Sequence, residues 1–371
     1  MSFFSTPPSN AVGPPIMMPE KDIEVADPPG DSISSLAFSP QADYLAVGSW
    51  DNNVRIYDVG LRVPPQGKAM YGHEGPVMSV CWNKEGSKVF SGGADNAGRM
   101  FDVTTGQTQQ VAQHDAPIRV VKWIESPQGN VLVSGSWDKT LKYWDLRTPN
   151  AVATVQLPER CYALDVQYPL MVVGTAERHI QVFSLTNPTT AFKSIQSPLK
   201  RQTRAISCFH TGGRYAIGSI EGRIAIQYID EKDNDKNYSF KCHRQDQSQN
   251  VNVKDQSIVY TPYMAPSPPV VRPHPFPLSH RPPILIAYPS HAGSDGLIHF
   301  WDIDARTRLK SFAPAQSPVP ATAFNRSGTI FAYAVSYDWS KGHASMVPGS
   351  PNKLMLHVCK DDEVKRKPMK R

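Results

Sequence analysis

A hairpin-like segment recurs along this chain, and the recurrence limits the fold more than any other feature. The stretch GSWDKTLKYWD at 135–145 has a small-residue step, a polar turn around Asp138, an alternating strand and a closing Trp-Asp pair. Related segments stand at 45–58 (LAVGSWDNNVRIYD), 89–102 (VFSGGADNAGRMFD), 171–184 (MVVGTAERHIQVFS), 215–229 (YAIGSIEGRIAIQYI) and 291–302 (HAGSDGLIHFWD). Their closing aromatic residues, Tyr57, Phe101, Trp144, Phe183, Tyr228 and Trp301, are 44, 43, 39, 45 and 73 positions apart. A unit of one apolar strand, an acidic turn and an alternating strand cannot bury its own apolar faces. Repeated at this period, it must stack on its neighbours.

Another strand precedes each segment, as in SISSLAFSP, VMSVCWN, IRVVKWI, CYALDVQ and ISCFHTGG. The reading is an all-β fold, a seven-bladed WD-repeat β-propeller of four-stranded sheets. The seventh unit is incomplete: 320–343 and KLMLHV at 353–358 supply three strands, and SYDWS replaces the usual turn. The N-terminal segment around KDIEVAD (21–27) is expected to add the fourth strand, closing the ring and removing its open edges. The propeller is expected to span 21–360, between a disordered segment at 1–20 and a basic tail at 361–371.

In the third unit His114, Ser134, Asp138 and Trp144 stand where WD repeats build a structural hydrogen-bonded tetrad. The set could be mistaken for a Ser-His-Asp triad, but the tetrad accounts for all four residues. No glycine-rich phosphate loop, His-Glu-x-x-His pair or nucleophile elbow occurs, so no catalytic residue and no enzymatic activity are expected. Five scattered cysteines without a Cys-x-x-Cys pair read as reduced thiols, with no disulfide framework, metal site or cofactor. No apolar run approaches membrane-spanning length, and the start of the chain lacks the apolar core of a signal peptide, so an intracellular, soluble protein without membrane insertion is expected.

Proline is abundant, 34 residues in 371, and ten of these fall between Pro262 and Pro289. They lie where the sixth blade's first two strands belong, and a central strand missing so many N–H donors cannot keep its ladder. The sixth blade is therefore expected to be disrupted by this stretch at 261–291. An irregular insertion, an aberrant product such as retained intron sequence and a ligand segment for an SH3-like partner all remain open.

The net charge of +6 matters through its distribution. Basic residues gather at Lys200, Arg201 and Arg204, at Lys241, His243 and Arg244, at Arg306, Arg308 and Lys310, and from Lys365 to Arg371. Singly, such clusters read as solvated loops; on equivalent loops of a repeat fold they point to an anionic partner.

Between the blades lie more specific segments: KDIEVADPPGDSISSLAFSP, QLPERCYALDV, SPLKRQTRAISCF, GSIEGRIAIQYI, FKCHR, GSDGLIHFWDIDARTRLK and SYDWSKGH. In these the chain resembles the messenger RNA export WD-repeat proteins of the nuclear pore, from Lys21 to His343 except in the proline-rich window. The resemblance implies a non-enzymatic adaptor that binds the GLEBS hairpin of a phenylalanine-glycine nucleoporin. It further implies a monomeric propeller in a heteromeric complex, in the nucleus and at the nuclear envelope, shuttling to the cytoplasm, with an additional role at the mitotic spindle. A sister family of mitotic checkpoint WD proteins, which bind checkpoint kinases, shares the GRIAIQY and FKCHR segments and is the alternative.

Under that resemblance Arg223, in the fifth hairpin turn, and Lys241 are candidates for meeting a peptide's acidic residues, although Arg223 could instead pair with Glu221. Phe240, Lys241, Trp301, Arg306 and Arg308 combine aromatic faces with cations, which suits single-stranded RNA or a ribonucleoprotein. Trp301, as a closing aromatic, is also expected to be partly core.

Overall fold

In a computed structural model the described residues are 21–60, 64–246, 257–259, 263–265 and 290–364. They form seven four-stranded antiparallel sheets arranged as the blades of a propeller. Blade three shows the plan, with strands Ile118–Ser126, Gly129–Ser136, Thr140–Trp144 and Ala153–Gln156 paired in chain order. Inner strands are covered on both faces by neighbouring blades and so read as apolar runs: all six residues of Leu170–Thr175 are buried. Outer strands alternate, as in Ala191–Gln196, where every second residue faces solvent.

The core is divided among the seams between blades. Tyr57 belongs to the seam between blades seven and one, Phe101 to that between one and two, Trp144 to that between two and three, and Phe183 to that between three and four. Tyr57, Phe101, Trp144 and Phe183 are buried. Tyr228 and Trp301 are only half-buried, and both edge the seam between blades five and six, around Phe209, Ala216, Ile224, Ile226 and Ile303.

Blade seven closes the ring as expected. Thr322–Phe324, Ile330–Val335 and Lys353–Val358 pair in order, and Ile23–Glu24 adds outside the last, with Ile23 opposite Leu356. The closure is reinforced by polar contacts: Asp22 Oδ1 lies 2.7 Å from His357 Nδ1, and Glu24 pairs with Lys353 at 2.9 Å. His357 also holds Glu363 at 2.8 Å, and Asp361–Val364 form a helical turn. Within the segment expected as a basic tail at 361–371, Glu363 is tied to His357 and to the Lys360 N–H. Residues 1–20, 266–289 and 365–371 lie outside the described residues.

The sixth blade has its four strands, but the first two contain three residues each, Tyr263–Ala265 and Ser290–Ala292, standing on either side of most of the prolines. Ile298–Asp302 and Thr307–Ser311 complete it. A two-stranded ribbon, Arg244–Asp246 with Ser257–Val259, precedes it in the chain. Among the described residues no helix is long and apolar enough to cross a membrane.

Candidate binding groove between blades five and six

The seam between blades five and six gathers most of the residues singled out in the sequence. Arg223 begins strand Arg223–Tyr228, immediately after the turn, and lies directly opposite Lys241, the last residue of the outer strand Tyr238–Lys241. Directly opposed residues share a face, so two cations stand side by side where like charges destabilise a ladder. Glu221 does not relieve them, because its Oε1 accepts the Lys200 N–H at 2.8 Å. Among the described residues no carboxylate pairs with Arg223, Lys241, Arg306 or Arg308, whereas Arg214 nearby is held by Asp304 at 2.8 Å.

Alternation turns Phe240 and Tyr238 to the other face of the outer strand, against blade six. Phe240 meets Trp301 with ring centroids 4.6 Å apart, and Arg306 lies over the Tyr238 ring at 4.1 Å. Burial pushes the Tyr238 hydroxyl up to about 12, with Arg306 and Arg214 pulling the other way; it donates to the Ile303 carbonyl at 2.7 Å. Arg308 faces Trp301 across the last ladder of blade six. The outer strand of blade five thus runs from the Arg223–Lys241 pair, past the Phe240–Trp301 contact, to Arg306. Phe240 and Trp301 are half-buried, while Lys241, Arg306 and Arg308 are exposed.

The third-blade set forms one continuous hydrogen-bonded chain. Asp138 accepts from His114 Nδ1 at 2.7 Å, which leaves Nε2 to accept from Ser134 Oγ at 2.7 Å, and Ser134 in turn accepts from Trp144 Nε1 at 2.8 Å. Blade two repeats it with His73, Ser91 and Asp95. Burial lowers the His114 and His73 imidazoles below their usual range, outweighing the pull of their aspartates. In blade six His243 bonds Asp295 at 2.8 Å, but His291 occupies the serine position and lies 2.7 Å from His243 Nε2.

Sequence reasoning missed a second feature, the mouth of the central channel. A cavity of about 710 Å³ is lined by Arg119, Arg201, Arg204 and Lys341 together with Trp50, Trp137 and Trp339. Trp50 and Trp339 stack at 4.5 Å. The available signal was a tryptophan next to the turn aspartate in SWD (49–51 and 136–138) and DWS (338–340). Arg201 belongs to the loop between blades four and five and Arg204 to the strand Thr203–Cys208 that follows it, while His243 lies in the equivalent loop after Lys241.

Comparison with known proteins sets this geometry in a family. The description "WD domain, G-beta repeat" matches residues 25–58, 65–102 and 106–145. The poly(A)+ RNA export protein of Schizosaccharomyces pombe is 49% identical over 95% of this chain and 94% of its own length. The chain belongs to the mRNA export factor family. Within that family, the mRNA export factor GLE2 of Chaetomium thermophilum is 46% identical over 94% of this chain and 93% of its own length. The mRNA export factor of Xenopus tropicalis is 43% identical over 98% of each. The mRNA export factor family thus extends over the whole propeller, including the blades that the repeat description does not match.

Proposed function

We propose that this protein is a non-enzymatic adaptor for messenger RNA export at the nuclear pore, in the nucleus and at its envelope. It captures the GLEBS hairpin of a phenylalanine-glycine nucleoporin and offers a basic, aromatic groove to RNA. The reading is supported by the names of its relatives. The observation that carries it is the set of cations that have no carboxylate partner among the described residues: Arg223 and Lys241 on one face of blade five, and Arg306 and Arg308 beside the seam with blade six on the other. Arg223 and Lys241 are the peptide contacts: an acidic side chain placed between them removes their mutual repulsion and gains a charge-assisted bond to each. Phe240, Trp301, Arg306 and Arg308, with Lys241 at one end, are the RNA contacts, where bases stack and phosphates pair.

The test is a titration of the purified full chain with a nucleoporin GLEBS peptide and, in parallel, a checkpoint-kinase peptide. Preference for the nucleoporin peptide, lost by about tenfold or more in an Arg223→Glu, Lys241→Glu variant, supports the proposal. Preference for the kinase peptide would assign the protein to a checkpoint role instead. For RNA, Arg306→Glu with Arg308→Glu should weaken binding to single strands uniformly across sequences. It should also flatten the salt dependence by about 0.7 per lost phosphate contact.

A further inference from the structure

In blade three a serine stands between histidine and the closing tryptophan, and in blade two Ser91 stands between His73 and the Tyr71 hydroxyl, because a serine hydroxyl can donate to one group and accept from the other. Blade six has His291 at that place, and the hydrogen-bond pattern no longer closes. Asp295 accepts from His243 Nδ1, so His243 Nε2 is an acceptor and the proton facing it sits on His291 Nδ1. His291 Nε2 is then a lone pair and Trp301 Nε1 a donor. Among the described residues both are buried without a partner, as is Asp295 Oδ2. Each unsatisfied buried polar group carries a desolvation penalty, and three at one point call for an explanation.

They mark this end of blade six as unlike blade three, and a set of metal-ligating atoms converges at the same place. Cys242 precedes His243, and the ligand atoms of Cys242, His243 and His291 lie within 4.8 Å of one another. His243 and His291 are almost wholly buried. Gly293 makes the approach possible, since a Cβ there would stand 2.4 Å from the His243 ring. The His243–Asp295 contact repeats the His–Asp pair of blades two and three, and it is also the kind of bond by which a carboxylate can orient an imidazole whose other nitrogen binds a metal.

We propose that Cys242, His243 and His291 form a site for a thiophilic divalent cation of the zinc class. The two facing nitrogens, now 2.7 Å apart, need to part by roughly 0.6 Å to share a tetrahedral ion with bonds of about 2.0–2.1 Å. Cys242 closes in as the third ligand, and water or another donor takes the fourth position. The Cys242 thiol gives up its proton to solvent, while the His291 proton moves from Nδ1 to Nε2. One proton therefore leaves for each ion bound, and no oxidant or reductant is involved. The ion would pin the three-residue strand Ser290–Ala292 to the loop leaving blade five, beside the Phe240–Trp301 contact. Sequence spacing concealed the site, because Cys242 and His291 come from opposite sides of the proline-rich stretch.

The test uses the full chain, freed of metal and shown to be folded by circular dichroism, titrated with zinc alone and with cobalt as a spectroscopic substitute. Expected are a rise in melting temperature with zinc, about one proton released per ion, and a cobalt spectrum with a thiolate charge-transfer band. Cys242→Ser should lose that band. His291→Ser should fold at least as well, because it restores the blade-three pattern, yet lose the zinc-dependent rise. A folded wild type with no thermal or spectroscopic response overturns the proposal. So does a His291→Ser variant that binds zinc as tightly as wild type, which would place the ion on other histidines.

Discussion

Blades three and six are built on one plan and differ in how completely they satisfy it. In blade three every polar atom along the path from Asp138 to Trp144 has a partner, and Trp144 is buried. In blade six the corresponding path stops at His291, the Trp301 N–H has no partner among the described residues, and the blade's first two strands have three residues each. The lesson is a division of labour. A closed network with a buried aromatic fixes a blade as scaffold, whereas an open network leaves an aromatic face and polar atoms available to something else.

The comparison can be broken most severely at the closing tryptophans. Trp144→Ala should cost about 3–5 kcal/mol in urea unfolding, the range for deleting a buried aromatic, and Trp301→Ala clearly less because its ring is half-exposed. Equal losses would remove the contrast. Next come the turn aspartates. Asp138 accepts from His114, from the Asp115 and Thr140 N–H groups and from the Thr140 hydroxyl, so Asp138→Ala should cost about 3 kcal/mol by the same measurement. Asp295, accepting from His243 and the Leu297 N–H, should cost less.

The serine position sharpens the comparison because its two substitutions should have opposite signs. Ser134→Ala strands His114 Nε2 and Trp144 Nε1 and should destabilise by about 1–3 kcal/mol. His291→Ser gives Trp301 an acceptor and should stabilise the metal-free protein by about 1 kcal/mol. Thermal unfolding of the pair decides this, and a destabilised His291→Ser would show that the histidine is itself a packing residue.

The smallest effect is in pH. Burial holds folded His114 below 6.5 despite Asp138, and Asp138 itself is lowered, with the His114 and Thr140 bonds outweighing its burial. The His114 contribution is thus complete above about pH 6.5 and declines as pH falls; that of Asp138 declines later, as pH falls from about 3.8 through its folded value. His357 has the opposite sign: burial lowers it, but bonds to Asp22 and Glu363 prevail and raise it. Its contribution is complete below about pH 6.5 and declines as pH rises through the folded value. Hydrogen exchange should show strand Ile23–Glu24 loosening between pH 6 and 8 while Gly129–Ser136 does not.

Much of the ring was legible in the sequence because each blade repeats the same local chemistry. An acidic turn followed by an aromatic about six residues later located six blades, and the 73-residue gap between Tyr228 and Trp301 marked the one with an insertion. The N-terminal strand could be inferred from what blade seven lacked. What could not be read depends on residues brought together from several blades. The channel mouth joins Trp50 to Trp339, and the ligand cluster joins Cys242 to His291, neither of which has a characteristic spacing along the chain. The Arg223–Lys241 pair lies between these cases: both residues were visible, but only strand register shows that they oppose each other.

The strand that completes blade seven also sets a timetable. Glu24 and Lys353, which pair across the closure, stand 329 positions apart. At about 5–20 residues per second of synthesis, the first of them waits roughly a quarter of a minute to a minute on the ribosome for the second. During that interval each newly made blade can dock on its predecessor, but blade one still exposes an apolar face that only blade seven will cover. A circular permutant opened within the loop between blades three and four would exchange this long wait for a different one. Its folding rate and chaperone dependence should change even though every contact in the finished ring stays the same.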